Sequence, residues 1–257
     1  MEFNVGDYVT RNSYNNDTIF EIVDFKDDLV ILKGVDIRLF ADAKVDDLVK
    51  CDYQNKDEEF VRNIIVRDNM DRSEYFYLPA KILHIDGDRD YLNRCLEFYK
   101  KANVFAVGEY VNENDIGNIT LKLLKKYKPD ILIVTGHDSI NKSKDINNIN
   151  NYKNSKNFVN AVYKAREYEK SHEKLVIIAG ACQSDYEALI KAGANFASSP
   201  KRINIHALDP AIIAINLALT EKDKDINLID LLSKTKYGKD GIGGLKSKGM
   251  MYVGYPR

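Results

Sequence analysis

Four times between Lys81 and Gly193, a short apolar run gives way to a longer stretch whose apolar positions recur at helical spacing. "KILHIDGD" is followed by "YLNRCLEFYKKA", "NVFAVGEYV" by "NITLKLLKKYK", "DILIVTGHD" by "KNFVNAVYKAREYEK", and "KLVIIAGAC" by "DYEALIKAG". "ANFASSP" and "DPAIIAINLAL" add a shorter fifth pair. Continuous apolar runs mark strands buried on both faces, and such strands belong to parallel sheets covered by helices. The pattern over about residues 80–220 therefore predicts a doubly wound, mostly parallel α/β sheet with right-handed crossovers; the fold class expected, with the candidate residues below taken into account, is caspase-like or flavodoxin-like. The Gly-rich tail, "GIGGLKSKGMMYVGYPR", is expected to add a hairpin.

The first fifty residues read differently. "VGDYVTR", "TIFEIVDF", "LVILKGV" and "IRLFAD" are short β-favouring runs, separated by turn-rich pieces at Asn12–Asp17, Lys26–Asp28 and Gly34. Four or five short strands in so short a span predict a small SH3-like β-barrel. Between the two regions, "CDYQNKDEEFVRNIIVRDNMDRSEYFY" is charged and aperiodic. The expected division is a β-barrel over residues 1–50, a helical or mobile connector over 51–78, and an α/β domain over 79–257.

Composition narrows the function. With 257 residues and 44% hydrophobic composition, the chain can bury a substantial core. A net charge of −1 supplies no basic field for nucleic acid or an anionic membrane. No apolar run is long enough to span a bilayer, and "MEFNVGDYVTR" lacks a signal-peptide pattern, so a soluble, cytoplasmic protein is expected. Cys51, Cys95 and Cys182 are odd in number and far apart, which suits reduced thiols. No metal-ligand spacing is present, and no metal or cofactor is expected.

In an open parallel sheet, function gathers at the carboxyl ends of the strands. There the chain places His84, Asp86 and Asp88, then Glu109, then His137 and Asp138 in "TGHDS", then Cys182 in "GACQS". His137 and Cys182 end consecutive strands. If these strands are neighbours, about 5 Å apart, the two side chains converge. A thiol at a helix start is drawn toward thiolate, and an imidazole beside it acts as base and acid. Backbone N–H groups of Cys182 and of Asp138 or Gly136 are placed to hold an oxyanion. His137 precedes Cys182 by a separation close to the roughly 50 residues of caspase-type enzymes, a likeness of layout alone. "GACQS" also approximates the elbow of class I glutamine amidotransferases, with Ser184 replacing the last glycine and His206 following as the base. A lone cysteine after an apolar strand is otherwise a small core residue, the rival reading for Cys182; Cys95, in the amphipathic run "YLNRCLEFYKKA", reads as core.

These motifs carry a resemblance over nearly the whole chain. "VGDYVTRNSY", "IRLFAD", "KILHIDGDRDYLNRCLEFYKK", "PDILIVTGHD", "AGACQSDYEALIKAGANFASSPKRINIHALDP" and the terminal "GIGG" resemble the YabG family of sporulation-specific cysteine proteases from endospore-forming Firmicutes. The resemblance implies a catalytic pair at His137 and Cys182, and cleavage of spore-coat or germination proteins after arginine. It also implies the mother cell of a sporulating bacterium as the place of action, with association to the spore coat. The connector here is shorter than in relatives with a long charged insertion.

Selection of arginine requires a carboxylate near Cys182, because guanidinium stays charged and pairs bidentately. Asp86 and Asp88 are the nearest candidates and Asp209 the reserve; Asp88 reads equally as a helix cap. Self-cleavage is expected in the connector, at Arg62, Arg67 or Arg72. Two rival readings are a small-molecule, glutaminase-like cysteine hydrolase using His206, and a non-enzymatic spore-coat assembly protein.

Overall fold

A computed structural model describes residues 3–55, 57, 73–141 and 143–256. The connector arginines Arg62, Arg67 and Arg72, with the self-cleavage expected there, lie outside the described residues.

The N-terminal β-favouring runs become β1 (Tyr8–Arg11), β2 (Phe20–Lys26), β3 (Leu29–Gly34), β4 (Phe40–Ala43) and β5 (Leu48–Lys50). They form one antiparallel sheet in the order β4-β3-β2-β1-β5. Val9, Phe20, Ile22, Val30, Leu32, Ala43 and Leu48 make its own small core.

The alternating region builds a six-stranded sheet from β7 (Ile82–Asp86), β8 (Ala106–Tyr110), β9 (Ile131–Thr135), β10 (Val176–Ala179), β11 (Phe196–Ser198) and β12 (Ile242–Gly244). Its order is β12-β11-β10-β9-β7-β8, parallel except for β12. The helices are α1 (Arg89–Lys101), α2 (Glu113–Tyr127), α3 (Ser155–Tyr168), α4 (Tyr186–Ala192), α5 (Asp209–Leu219) and α6 (Leu228–Ser233). Alternate strand residues explain the unbroken apolar runs. Ile82, Ile131, Ile133, Val176 and Ile178 face α1 and α5 on one side. Leu83, Ile85, Leu132, Val134 and Ile177 face α2 and α3 on the other. Both faces are dry, so every strand position favours an apolar side chain.

The tail departs from the expected hairpin. β12 adds antiparallel to β11, whereas β13 (Tyr252–Gly254) pairs with β6 (Phe76–Leu78). Glycine explains the first contact: a Cβ on Gly244 would fall 2.4 Å from Phe196 Cδ1. The edge of the sheet therefore accepts "GIGG" backbone at a distance that no larger residue permits.

The strand order reverses between β7 and β9: the chain steps from β7 outward to β8, then returns to the other side of β7. Such a switch point opens a crevice at the carboxyl ends of the two strands. Asp86 closes β7, and His137 follows β9 by two residues. Among the described residues, no helix is long and apolar enough to cross a membrane.

Candidate active site

β9 and β10 are paired in parallel, with Val134 opposite Ala179. His137 and Cys182 each lie three residues beyond that pair, so equal steps carry both to the same rim. β7 sits one place from the cysteine strand, as its register with β9 requires.

Gly180 makes the turn into the cysteine loop at φ +102°. That conformation is open to glycine at little cost. A Cβ there would also lie 2.7 Å from Leu189 Cδ1. The two loops are then tied together by the buried carboxylate of Asp138. It accepts hydrogen bonds from the backbone N–H of Ser139 (2.9 Å) and Asn154 (2.7 Å), and from the hydroxyls of Ser155 (2.5 Å) and Ser184 (2.9 Å). Ser184 in turn accepts from the Ala181 N–H at 2.9 Å. The serine at the place of the amidotransferase glycine is thus a strut between the histidine and cysteine loops. Among the described residues, none accepts a hydrogen bond from the backbone N–H of Gly136, Asp138 or Cys182.

His137 is oriented by a residue that sequence reasoning missed. Glu113 Oε1 accepts the His137 backbone N–H at 2.9 Å and lies 3.2 Å from Nδ1. Burial raises the Glu113 pKa, but the hydrogen bonds from His137 outweigh it, so the carboxyl sits below its ordinary value. A carboxylate on Nδ1 keeps that nitrogen protonated and directs Nε2 toward chemistry. Nε2 is buried, makes no hydrogen bond, and lies 3.5 Å from Asp88 Oδ2. The available signal for Glu113 was its place at the start of α2, directly after β8. Glu113→Gln should lower kcat on the order of tenfold while KM holds, because the His137 ring loses the carboxylate that orients it and the substrate loses no contact. Steady-state kinetics on a peptide substrate check this. An equal rise in KM would instead mean a general disturbance of the cleft.

Cys182 is completely buried. Burial pushes its thiol up to about 11, against the lowering influence of the backbone N–H groups of Ile205 and Arg38 and of the Arg38 charge. The Ile205 N–H meets the sulfur at 3.3 Å. No hydrogen bond joins Cys182 to His137. Both lie close to the β3–β4 segment instead: Ile205, whose N–H meets the sulfur, precedes the His206 bridge to Ile37, and the Phe40 ring at the start of β4 lies 5.2 Å from the His137 ring.

The three carboxylate candidates separate. Asp86 is fully buried and ion-paired with Arg38 through Oδ2, while Oδ1 accepts the Asp88 N–H at 2.9 Å. Burial raises its pKa, but the Arg38 guanidinium holds it well below the carboxylate range. Asp88 caps α1, accepting from the N–H groups of Asp90 (2.9 Å) and Tyr91 (3.1 Å). Asp209 is spent on backbone, accepting from His206 N–H at 3.1 Å and Lys236 N–H at 2.9 Å.

The remaining residues hold other positions. His206 accepts the Leu208 N–H on Nδ1 at 3.2 Å and places Nε2 3.7 Å from Asp36. His84 is buried, with Nδ1 2.8 Å from the Tyr99 hydroxyl, and burial lowers its pKa. All three cysteines are free. Among the described residues, no group of three or more His, Cys, Asp or Glu is placed to hold a metal ion.

A parallel α/β sheet with a thiol and a carboxylate-oriented imidazole on one rim is an arrangement suited to hydrolase chemistry, and comparison with known proteins narrows the class to peptidases. The family model of YabG peptidase U57 matches residues 4–256. The sporulation-specific protease YabG of Bacillus subtilis (strain 168) is 38% identical over 289 aligned positions, covering 100% of this chain and 99% of that protein. No solved structure matches the chain. The chain belongs to the YabG peptidase family.

Proposed function

We propose that the protein is a sporulation-specific cysteine endopeptidase that cleaves after arginine, with Cys182 as nucleophile and His137 as its acid–base partner. Its substrates are spore-coat or germination proteins, and it acts in the mother cell, in the cytoplasm or at the coat. The working parts lie in the α/β domain, residues 79–257, with the barrel-type module at 1–50 and the connector at 51–78 as attachments.

The observation that carries this reading is the common rim of His137 and Cys182 beside Asp86. The His137 imidazole takes the thiol proton as Cys182 attacks the scissile carbonyl. The tetrahedral oxyanion is held by the N–H groups of Cys182 and of Asp138 or Gly136. His137 then protonates the leaving amine, giving an acyl-enzyme that water hydrolyses with the same residue as base. Asp86 pairs with the arginine side chain of the substrate. Asp88 Oδ2 lies 3.5 Å from His137 Nε2, on the side of the ring that exchanges the proton.

The test is a spore-coat extract incubated with the purified protein. Discrete new fragments whose upstream residue is arginine are expected, and prior alkylation of the protein with iodoacetamide should stop them. Cleavage that persists after complete alkylation of Cys182 would rule out the thiol mechanism.

A further inference from the structure

Arg38 lies between β3 and β4 of the N-terminal sheet, yet its side chain is completely buried against the other one. A buried guanidinium is costly unless it is paired and hydrogen-bonded. The host supplies both needs. Nη1 is ion-paired with Asp86, and Nη2 donates to the Ala207 carbonyl at 3.2 Å and approaches Cys95 Sγ at 3.8 Å. The Tyr91 ring lies 5.1 Å from the guanidinium carbon. These partners come from β7, α1 and the loop before α5, and the guest alone comes from elsewhere.

The main chain on either side of Arg38 is held as a guest peptide would be. Ile37 forms an antiparallel bridge with His206, and the Ala207 N–H donates to Asp36 O at 2.8 Å. Extended peptides commonly dock on a fold by such backbone pairing. The Tyr91 hydroxyl donates to the carbonyls of Gly34 and Ile37, the latter at 2.8 Å. Arg94 Nη1 donates to the Val35 carbonyl at 2.9 Å. Beyond Arg38 the chain reaches His137 through Phe40. The segment therefore runs past both members of the pair in substrate-like fashion, with an arginine in the acidic pocket. The strap's bridge partner His206 directly follows Ile205, whose N–H meets the Cys182 sulfur at 3.3 Å.

We propose that Val35–Leu39 is a built-in, substrate-mimicking inhibitor: Arg38 fills the pocket that takes the substrate's arginine, and its backbone seals Cys182 until the segment leaves. The proposal rests on the reading of Cys182 as nucleophile of an arginine-directed peptidase. It accounts for a nucleophile with no exposed surface, since the cover is a loop of the other sheet. The N-terminal sheet then serves to carry the strap.

The test measures strap release without requiring turnover. Wild type, Tyr91→Phe and Arg38→Ala are treated with iodoacetamide at neutral pH, and adducts are mapped by peptide mass. Tyr91→Phe keeps the ring and removes only the hydroxyl that clamps the strap. Alkylation of Cys182 is expected to be at least about tenfold faster in both variants than in wild type. In parallel, agmatine, a guanidinium without the peptide, should raise the melting temperature of Arg38→Ala and leave wild type unmoved, since its pocket is already filled. Butylamine, an ammonium of similar length, should do less. Alkylation of both variants at the wild-type rate would overturn the proposal, as would agmatine stabilising neither protein. If Arg38→Ala does not fold, Tyr91→Phe decides alone, and a wild-type rate there defeats the idea. If the strap opens and agmatine binds while Cys182→Ala still cuts peptides at full speed, the strap covers the thiol as proposed and the nucleophile assignment is what fails.

Discussion

Cys182→Ala should leave no measurable peptide hydrolysis, and His137→Ala should come close to it. Removing the nucleophile or its base from a covalent hydrolase costs on the order of 10⁴ to 10⁶ in kcat, because the two act as one unit and the rest of the site supplies only binding. The effect is not confounded by unfolding. Trading a buried thiol for a methyl group leaves a small void and frees the Ile205 N–H, a change of about 1–2 kcal/mol. Circular dichroism should show native spectra for both variants. His206→Ala is the control: its ring is tied to Leu208 and faces Asp36, so hydrolysis should continue. Loss of activity in His206→Ala with retention in His137→Ala would reverse the assignment.

Asp86→Asn should be the most destabilising single change on this rim and should also erase the preference for arginine. In the resting protein, the variant leaves the Arg38 guanidinium buried and unpaired, at a cost of about 3–5 kcal/mol. Urea denaturation reads that directly. Arg38→Ala should shelter the site: with no cation in the pocket, Asp86→Asn costs much less, and the double-mutant cycle shows a coupling well outside additivity. Acid titration supplies a second signature. The Asp86 pKa is depressed in the folded state, so its contribution to stability is present above the ordinary carboxylate pKa near 4 and is lost as pH falls toward the folded value. The asparagine variant should have a shallower acid limb. On the activity side, kcat/KM for arginine peptides should fall by orders of magnitude relative to matched peptides with a neutral residue. Unchanged selectivity in a folded Asp86→Asn protein would remove Asp86 from the pocket.

How much of the molecule is legible in the sequence depends on how local the determinants are. β7, β9 and β10 can be read because burial on both faces forces unbroken apolar runs. The rim placement of Asp86, His137 and Cys182 can be read because residues that end or follow parallel strands collect at one edge of the sheet. The Asp88 cap is visible as an aspartate directly ahead of a helical pattern. Arg38 is not visible, since in "IRLFAD" it reads as one polar position beside a short strand. Its partner Asp86 lies in another sheet, and no local periodicity encodes a pairing across a sheet boundary. Glu113 is hidden for a similar reason: an acidic residue in a first helical turn is ordinary, and only the fold brings it beneath His137. The edge strand β12 escapes because its glycines carry no hydrophobic pattern, only permission for close approach.

Covalent labelling with a peptide ending in an arginyl chloromethyl ketone tests the central assignment most directly. The ketone places its carbon where the scissile carbonyl would sit, the attacking thiolate displaces chloride, and a stable thioether marks the nucleophile. A single adduct is expected, mapped to Cys182, forming faster in Tyr91→Phe than in wild type and far faster with arginine than with leucine at the terminal position. An adduct on Cys51 or Cys95, or inactivation with Cys182 unmodified, would contradict the assignment.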